Sequence, residues 1–334
     1  MKVTIRDVAK KLNVSIATVS RALDGYPDIS DEMRRQVIQT AEELGYVPNQ
    51  AARHLRRRRT DAIGYILPAP EPRFGDPFFS EFIAGLGDES ARQNLDLLVS
   101  TAPPGSPEEE GRYTRWIHGM KVDGFILNRL KQQDWRISRL TAEKIPFATL
   151  ECNQDAAKYP NLTVESVESV SRLIQYLAGK GHQRIAYIGA HDDLVIQVDR
   201  FAGYQLGLKQ AGIPFDPNLI FPGNLTPQGG FAAAHHLLSL PNPPTAIFCI
   251  NDLTAFGVLR AAQERGIQVG KSLAVAGFDG LAESETSQPP LTTLNQPVYD
   301  IACKIVRMLV RLISGEHPPS ETIIPELILR DSTG

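Results

Sequence analysis

Apolar residues recur with two different periods along this chain, and the period changes near residue 61. Ile5, Val8, Ala9 and Leu12 stand at i, i+3, i+4 and i+7, the stripe of a short helix, with Thr4 placed to cap it. Asn13 tolerates the left-handed turn that must follow, and Ser15 can cap a second helix. Val19, Ala22 and Leu23 form the inward face of that helix, leaving Ile16, Ala17, Ser20, Arg21 and Asp24 outward. A third helix is capped by Ser30 or Asp31, turns Met33, Val37, Ile38, Ala41 and Leu44 inward, and stops at Gly45. Three short helices around a small shared core predict a helix-turn-helix, whose second helix fits the major groove of duplex DNA.

From residue 61 the pattern becomes apolar strands alternating with amphipathic helices. Strands are expected at 62–67, 95–100, 122–127 and 146–151, with helices at 79–93 and 108–120. A second round follows: strands at 184–189, 219–222, 245–250 and 273–278, helices at 167–178, 199–210, 227–238 and 253–265. Strands built of near-continuous Val, Ile and Leu belong to parallel sheets covered on both faces. The fold class is therefore α/β, a three-helix head plus two doubly wound parallel-sheet lobes. Segments 291–296, 298–314 and 323–329 are expected to cross back between lobes. The domains predicted are a head at 1–47 and a hinge helix with basic linker at 48–60. The N-terminal lobe is then 61–162 with 293–320, and the C-terminal lobe 163–292 with 321–334.

Charge sharpens the view of the head. Residues 1–60 hold 12 Lys and Arg against 7 Asp and Glu, a net of +5, so the rest of the chain carries −8 of the total −3. A basic end on an acidic body suits attraction to phosphate at one end only. Pro48 sets an extended entry to a short helix that Asn49 can cap, running through Ala52, Arg53 and Leu55 to the arginines 56–59. A helix of about two turns is too short to be stable alone in water, so its order depends on DNA or on a second copy of the chain. The four arginines are either a solvated linker or phosphate contacts, and their position after a helix-turn-helix favours the second.

The longest apolar runs are far short of the ~20 residues that span a bilayer, and the N-terminus lacks the apolar core of a secretory signal. Cys152, Cys249 and Cys303 are widely spaced and odd in number, which reads as reduced thiols in a cytoplasmic, nucleoid-associated protein rather than a disulfide or zinc framework. Ligands of open α/β sheets bind beyond the carboxyl ends of strands. Asn128, Glu151, His191, Asp192, Asn251, Asp252, Asp279 and Gln296 all fall at such ends, and Arg200 opens the helix expected at 199. Any one of these could be an ordinary helix cap. Together, from both halves, they predict an interlobe pocket whose carboxylates, amides and single arginine suit vicinal hydroxyls. Phe78 and Phe79 add an aromatic wall. No dinucleotide fingerprint, phosphate-binding loop or nucleophile elbow occurs, and His235-His236 lacks partners at ligand spacing. No catalytic residue, metal site or cofactor is expected.

Motifs along the whole chain are similar to the lactose-repressor (LacI/GalR) family of bacterial transcription regulators. They are 4–23 in the head, 46–55 in the hinge, Val122-Asp123-Gly124, Gly181-His182-Gln183-Arg184-Ile185, Asp199-Arg200-Phe201-Ala202-Gly203, Asn251-Asp252, Val275–Asp279 and Pro290–Gln296. The resemblance implies a homodimer on a palindromic operator and a body like the periplasmic sugar-binding proteins, with a small-molecule effector in the cleft. It assigns Thr4, Ser15, Ile16, Ala17, Thr18, Ser20, Arg21, Ser30 and Tyr46 to the DNA contacts of the head. It assigns Asn49, Ala52, Arg53, Leu55 and Arg56 to those of the hinge, with Leu55 as the minor-groove wedge. Ile16 and Ala17 can make only apolar contacts, which leaves direct readout mainly to Arg21. Phe78, Phe79, Asn128, Glu151, His191, Arg200, Asn251, Asp279 and Gln296 fall on effector positions. A mono- or oligosaccharide is the effector expected; a purine-like corepressor is the alternative, and a plain sugar-binding protein or a sugar-modifying enzyme lies further off. The chain ends at Gly334 without leucine heptads, so a dimer is expected.

Overall fold

The computed structural model describes residues 3–46, 59–68, 76–153, 159–191 and 193–334. The chain forms two compact units, Met1–Thr60 and Asp61–Gly334. In the first, helices α1 (Ile5–Leu12), α2 (Ile16–Leu23) and α3 (Asp31–Leu44) follow one another as the capping residues dictate. The Thr4 hydroxyl and backbone N–H both donate to Asp7 Oδ2 at 2.8 Å. Asn13 takes φ +53° in the turn, and Ser15 Oγ accepts the Thr18 N–H at 3.0 Å. Ser30, not Asp31, caps α3, accepting the Met33 N–H at 3.3 Å. Val8, Ala9, Val19, Ala22, Val37 and Ala41 make the small core. Ile38, expected inward, is 43 % exposed, and Thr40 is buried instead. The inward stripe runs 33, 37, 40, 41, 44, and Ile38 lies one residue, about 100°, outside it.

The larger unit holds two six-stranded sheets. The first has the order β11-β5-β4-β3-β1-β2 and the second β12-β10-β9-β8-β6-β7. Strands β1 (Ala62–Pro68), β2 (Asp96–Ala102), β3 (Gly124–Leu127), β4 (Phe147–Leu150), β5 (Asn161–Val164) and β11 (Glu321–Ile323) are all parallel. Strands β6 (Ile185–Gly189), β7 (Ile220–Pro222), β8 (Ala246–Cys249), β9 (Ala274–Asp279) and β10 (Thr292–Asn295) are parallel too, with β12 (Glu326–Ile328) antiparallel at the edge. Helices α4 (Pro77–Arg92), α5 (Pro107–His118) and α6 (Trp135–Ala142) cover the first sheet. Helices α7 (Val167–Gly179), α8 (Val195–Gln210), α9 (Pro227–Leu237), α10 (Asp252–Glu264) and α11 (Glu283–Thr286) belong with the second. Helix α12 (Val298–Ile313) returns to the first sheet and packs on α4.

The chain therefore passes between sheets three times: after β5, after β10, and between β11 and β12. Several expectations are corrected here. The single strand expected at 323–329 is two short strands in different sheets, separated by Ile324 and Pro325, so residues 321–323 belong to the first lobe. Residues 293–295 lie in β10 and hence in the second lobe. Helix α8 begins at Val195 rather than 199, which puts Arg200 in its second turn. Helix α6 and strand β5 were not expected at all.

Candidate effector cleft and nucleic-acid interface

The carboxyl ends of both sheets line one cleft with about 530 Å³ of atom-free space, its open mouth included. From the first lobe come Phe78 at the start of α4, Arg129 after β3, Glu151 after β4, and Thr163 and Ser166 around the end of β5. From the second come Asp199 and Arg200 on α8, Leu225, Asn251 after β8, Asp279 at the end of β9, and Gln296 after β10.

Arg200 organises the second wall. Its Nη1 donates to the Ile250 carbonyl, its Nη2 lies 3.5 Å from Asp279 Oδ1, and its guanidinium stacks 3.6 Å over the Phe278 ring. Gln296 Nε2 donates to the same Asp279 oxygen at 2.7 Å. Arg200 Nε is buried and donates to nothing among the described residues. Across the cleft Arg129 donates to Asp76 Oδ2 at 3.0 Å and sits 5.4 Å from the Phe79 ring centroid. The turn that carries Arg129 is held from behind. Buried Arg136 donates to the carbonyls of Asn128 and Arg129 at 3.2 and 3.3 Å, while Asp134 Oδ2 at 2.6 Å balances its charge.

The carboxylates of the cleft sit in a setting that resists ionisation. Burial pushes Glu151 up to about 7, although the Leu130 N–H donated to its Oε2 at 2.8 Å works the other way. Burial likewise raises Asp279 to about 6, against the pull of Arg200. Asp199 is raised by burial as well. Behind the wall, Asp252 is raised by burial and by Asp279, and it accepts from the Leu281 N–H at 2.8 Å and the Thr293 hydroxyl at 2.6 Å. Its work is to tie β9 and β10 together.

Of the effector positions read from the sequence, Phe78, Glu151, Arg200, Asn251, Asp279 and Gln296 line the cleft. Phe79, Asn128 and His191 do not. Phe79 packs beside Phe78 and under Arg129. Asn128 is buried next to the Tyr65 hydroxyl, behind the wall, and His191 is solvent-exposed. Asn251 also serves as the cap of α10, accepting the Thr254 N–H at 3.0 Å and the Thr254 hydroxyl at 2.6 Å. Asp192 lies outside the described residues. Sequence reasoning missed Arg129, Thr163, Ser166 and Asp199.

On the head, Ile16, Ala17 and Arg21 are exposed on α2, a free apolar edge beside one long cation. Arg21 is ion-paired with Asp28 and lies 5.3 Å from the Tyr26 ring centroid. The Thr18 and Ser15 hydroxyls are 2.8 Å apart, and Tyr46 packs against the head core. Thr4, Ser15 and Ser30 all act as helix caps, so their side chains already have partners. Asn49, Ala52, Arg53, Leu55 and Arg56 lie outside the described residues. Among the described residues no group of three His, Cys, Asp or Glu is placed to hold a metal ion, and no helix is long and apolar enough to cross a membrane.

Residues 4–49 match the model of bacterial regulatory proteins of the lacI family, and residues 174–333 match a periplasmic binding protein-like domain. The chain is 30 % identical to catabolite control protein A of Priestia megaterium, over all of both chains. It is 32 % identical to the HTH-type transcriptional repressor CytR of Escherichia coli K12, over 99 % of this chain and 96 % of that one. Its fold is similar to a lac repressor dimer bound to operator and an anti-inducer, with TM-score 0.86, 26 % identity and 100 % of this chain and 99 % of that one covered. A transcriptional regulator CelR–cellobiose complex matches with TM-score 0.77 and 28 % identity over 99 % of each chain. These relatives are transcriptional regulators and not enzymes. A DNA-binding head of this sequence joined to a two-sheet effector-binding body over the full length of the chain has one meaning: the protein belongs to the LacI family of bacterial transcriptional regulators.

Proposed function

We propose that this regulator is a repressor of carbohydrate-utilisation genes, acting as a cytoplasmic homodimer on a palindromic operator and released by a mono- or oligosaccharide. The observation that carries the reading is the Arg200–Asp279–Gln296 chain facing Glu151 across one cleft. Paired carboxylate and guanidinium groups bind vicinal hydroxyls in bidentate fashion. The cellobiose in the CelR complex supports the same class of ligand for this fold. A purine-like corepressor fits less well, because Phe78 is the only aromatic residue among the described cleft lining.

In this reading the head contacts are Thr4, Ser15, Ile16, Ala17, Thr18, Ser20, Arg21, Ser30 and Tyr46, and residues 48–60 serve as the hinge and basic linker. Both lobes line the cleft, so a ligand that changes the lobe angle alters the spacing of two hinges in a dimer. A coupling of ~1–3 kcal/mol gives a usable switch. The test has two steps: select operator DNA from random duplexes with the full-length protein, then follow its release by fluorescence anisotropy across a sugar panel. Arg200→Lys, which keeps the buried charge but loses the guanidinium fork, is expected to weaken release strongly while leaving operator affinity intact. Release that persists unchanged in this variant means the cleft is not the sensor.

A further inference from the structure

The hydrogen-bonding groups of the cleft are lopsided, and the imbalance speaks to what can enter. Most of the lining side chains that can donate already do so to the protein, Arg200 Nε being left open. Gln296 Nε2 donates to Asp279 at 2.7 Å and Asn251 Nδ2 to the Leu225 carbonyl at 3.3 Å. The Thr163 hydroxyl donates to Asn161 Oδ1 at 3.0 Å and the Ser166 hydroxyl to the Val164 carbonyl at 3.2 Å. Arg129 is paired with Asp76, and both terminal nitrogens of Arg200 face Ile250 and Asp279. The acceptors are in the opposite condition. Among the described residues Asp199 accepts no hydrogen bond and pairs with no cation, and Glu151 accepts a single backbone N–H through Oε2.

A phosphate or carboxylate offers only acceptors and would meet the Asp199 and Glu151 oxygens, in a cleft where Arg129 and Arg200 each already hold a carboxylate. A ligand rich in O–H or N–H groups would meet the open acceptors directly. We propose that the effector carries no phosphate or carboxylate and presents several hydrogen-bond donors, and that Asp199, with Glu151 opposite, is the residue that excludes anionic analogues. This rests on the cleft being the effector site. Asp199 precedes Arg200 in the second turn of α8, so its carboxylate belongs to the same wall as the Arg200–Asp279 pair. The burial that holds both acids back from ionising agrees with acceptors whose hydrogen bonding a donor-rich ligand completes.

Matched pairs test the proposal by calorimetry on the full-length protein: glucose and glucose 6-phosphate, cellobiose and its phosphate ester, adenosine and its monophosphate, with inorganic phosphate alone as a further probe. An unphosphorylated member is expected to bind at least about tenfold more tightly than its ester, ~1.4 kcal/mol. Asp199→Asn should shrink that ratio several-fold, by improving the ester and by weakening the parent compound, which loses a charged acceptor. Asp199→Ser serves the same purpose if the amide variant fails to fold. Tighter binding of an ester or of inorganic phosphate overturns the inference, as does a ratio that Asp199→Asn leaves alone. If such an ester also releases operator DNA, the effector cleft stands and only its selectivity has been misread. If neither half of any pair binds, the sugar-effector reading fails and takes this inference with it.

Discussion

Replacing Arg200 by Met removes a buried charge while keeping much of its volume, and the cost is expected to depend on pH. Part of the loss is constant. The hydrogen bond to the Ile250 carbonyl is charge-assisted, and such bonds contribute ~1.5–3 kcal/mol. The guanidinium 3.6 Å over Phe278 is a desolvated cation–π contact, worth ~2 kcal/mol. The pH-independent loss is thus about 4 kcal/mol.

The rest comes from Asp279, whose carboxyl is held at about 6 by burial against the pull of Arg200. Without the arginine the native state keeps that proton to higher pH, while the unfolded chain still releases it at about 3.9. A group raised in the folded state loses stability as pH climbs from its unfolded to its folded value. Wild type stops losing at about 6, whereas the variant continues at ~1.4 kcal/mol per pH unit. Near pH 5 both proteins hold the proton, and the difference falls to the constant part. At about pH 8 the gap should exceed the constant part by ~1.4 kcal/mol for each pH unit over which the variant holds its proton longer than wild type. Urea denaturation followed by far-ultraviolet circular dichroism at the two pH values measures it. An equal loss at both refutes the claim that Arg200 sets the ionisation of Asp279.

Two further outcomes follow from packing and charge elsewhere. Helices α9 and α10 touch backbone to backbone, and a methyl at Gly257 would lie 2.6 Å from Phe231 N and closer still to the Pro227 carbonyl. Gly257→Ala should therefore cost about 3 kcal/mol or more by forcing these helices apart, read as a lower urea midpoint. On α4, Glu89 accepts from Arg307 Nε and Nη2 at 2.9 Å each, and this pair lowers its carboxyl from the ordinary 4.5 to about 2. Stability from the pair is present above 4.5 and lost as pH falls toward about 2. Glu89→Gln should flatten the acid-unfolding profile in that window, and an unchanged profile would show that the pair contributes nothing.

Most of the strands that could be read in advance are buried on both faces. Strands β1, β3, β4, β6, β8 and β9 are buried along their whole length, so apolar runs announce them. Strands β5 and β11 are four and three residues long and carry Asn161, Thr163 and Glu321, a composition that reads as loop. Helix α6 hid for a different reason. Arg136 is buried, yet any hydrophobic pattern scores it as surface, because only the fold brings Asp134 and Glu109 to balance its charge. The cleft shows the same boundary between pattern and geometry. Strand ends located Glu151, Asn251, Asp279 and Gln296, since each stands at the carboxyl end of a strand or within two residues of it. At β3 the rule slips by one residue. Asn128 turns behind the wall, and Arg129, at φ +49°, reverses the chain and enters the cleft in its place. Asp199 was overlooked because the helix was expected to begin there, where a carboxylate reads as a cap. With α8 starting four residues earlier, capping no longer explains Asp199, and an acid in the second turn facing a cleft needs another role. Selecting the ligand is the role that its open acceptors and missing cation leave it.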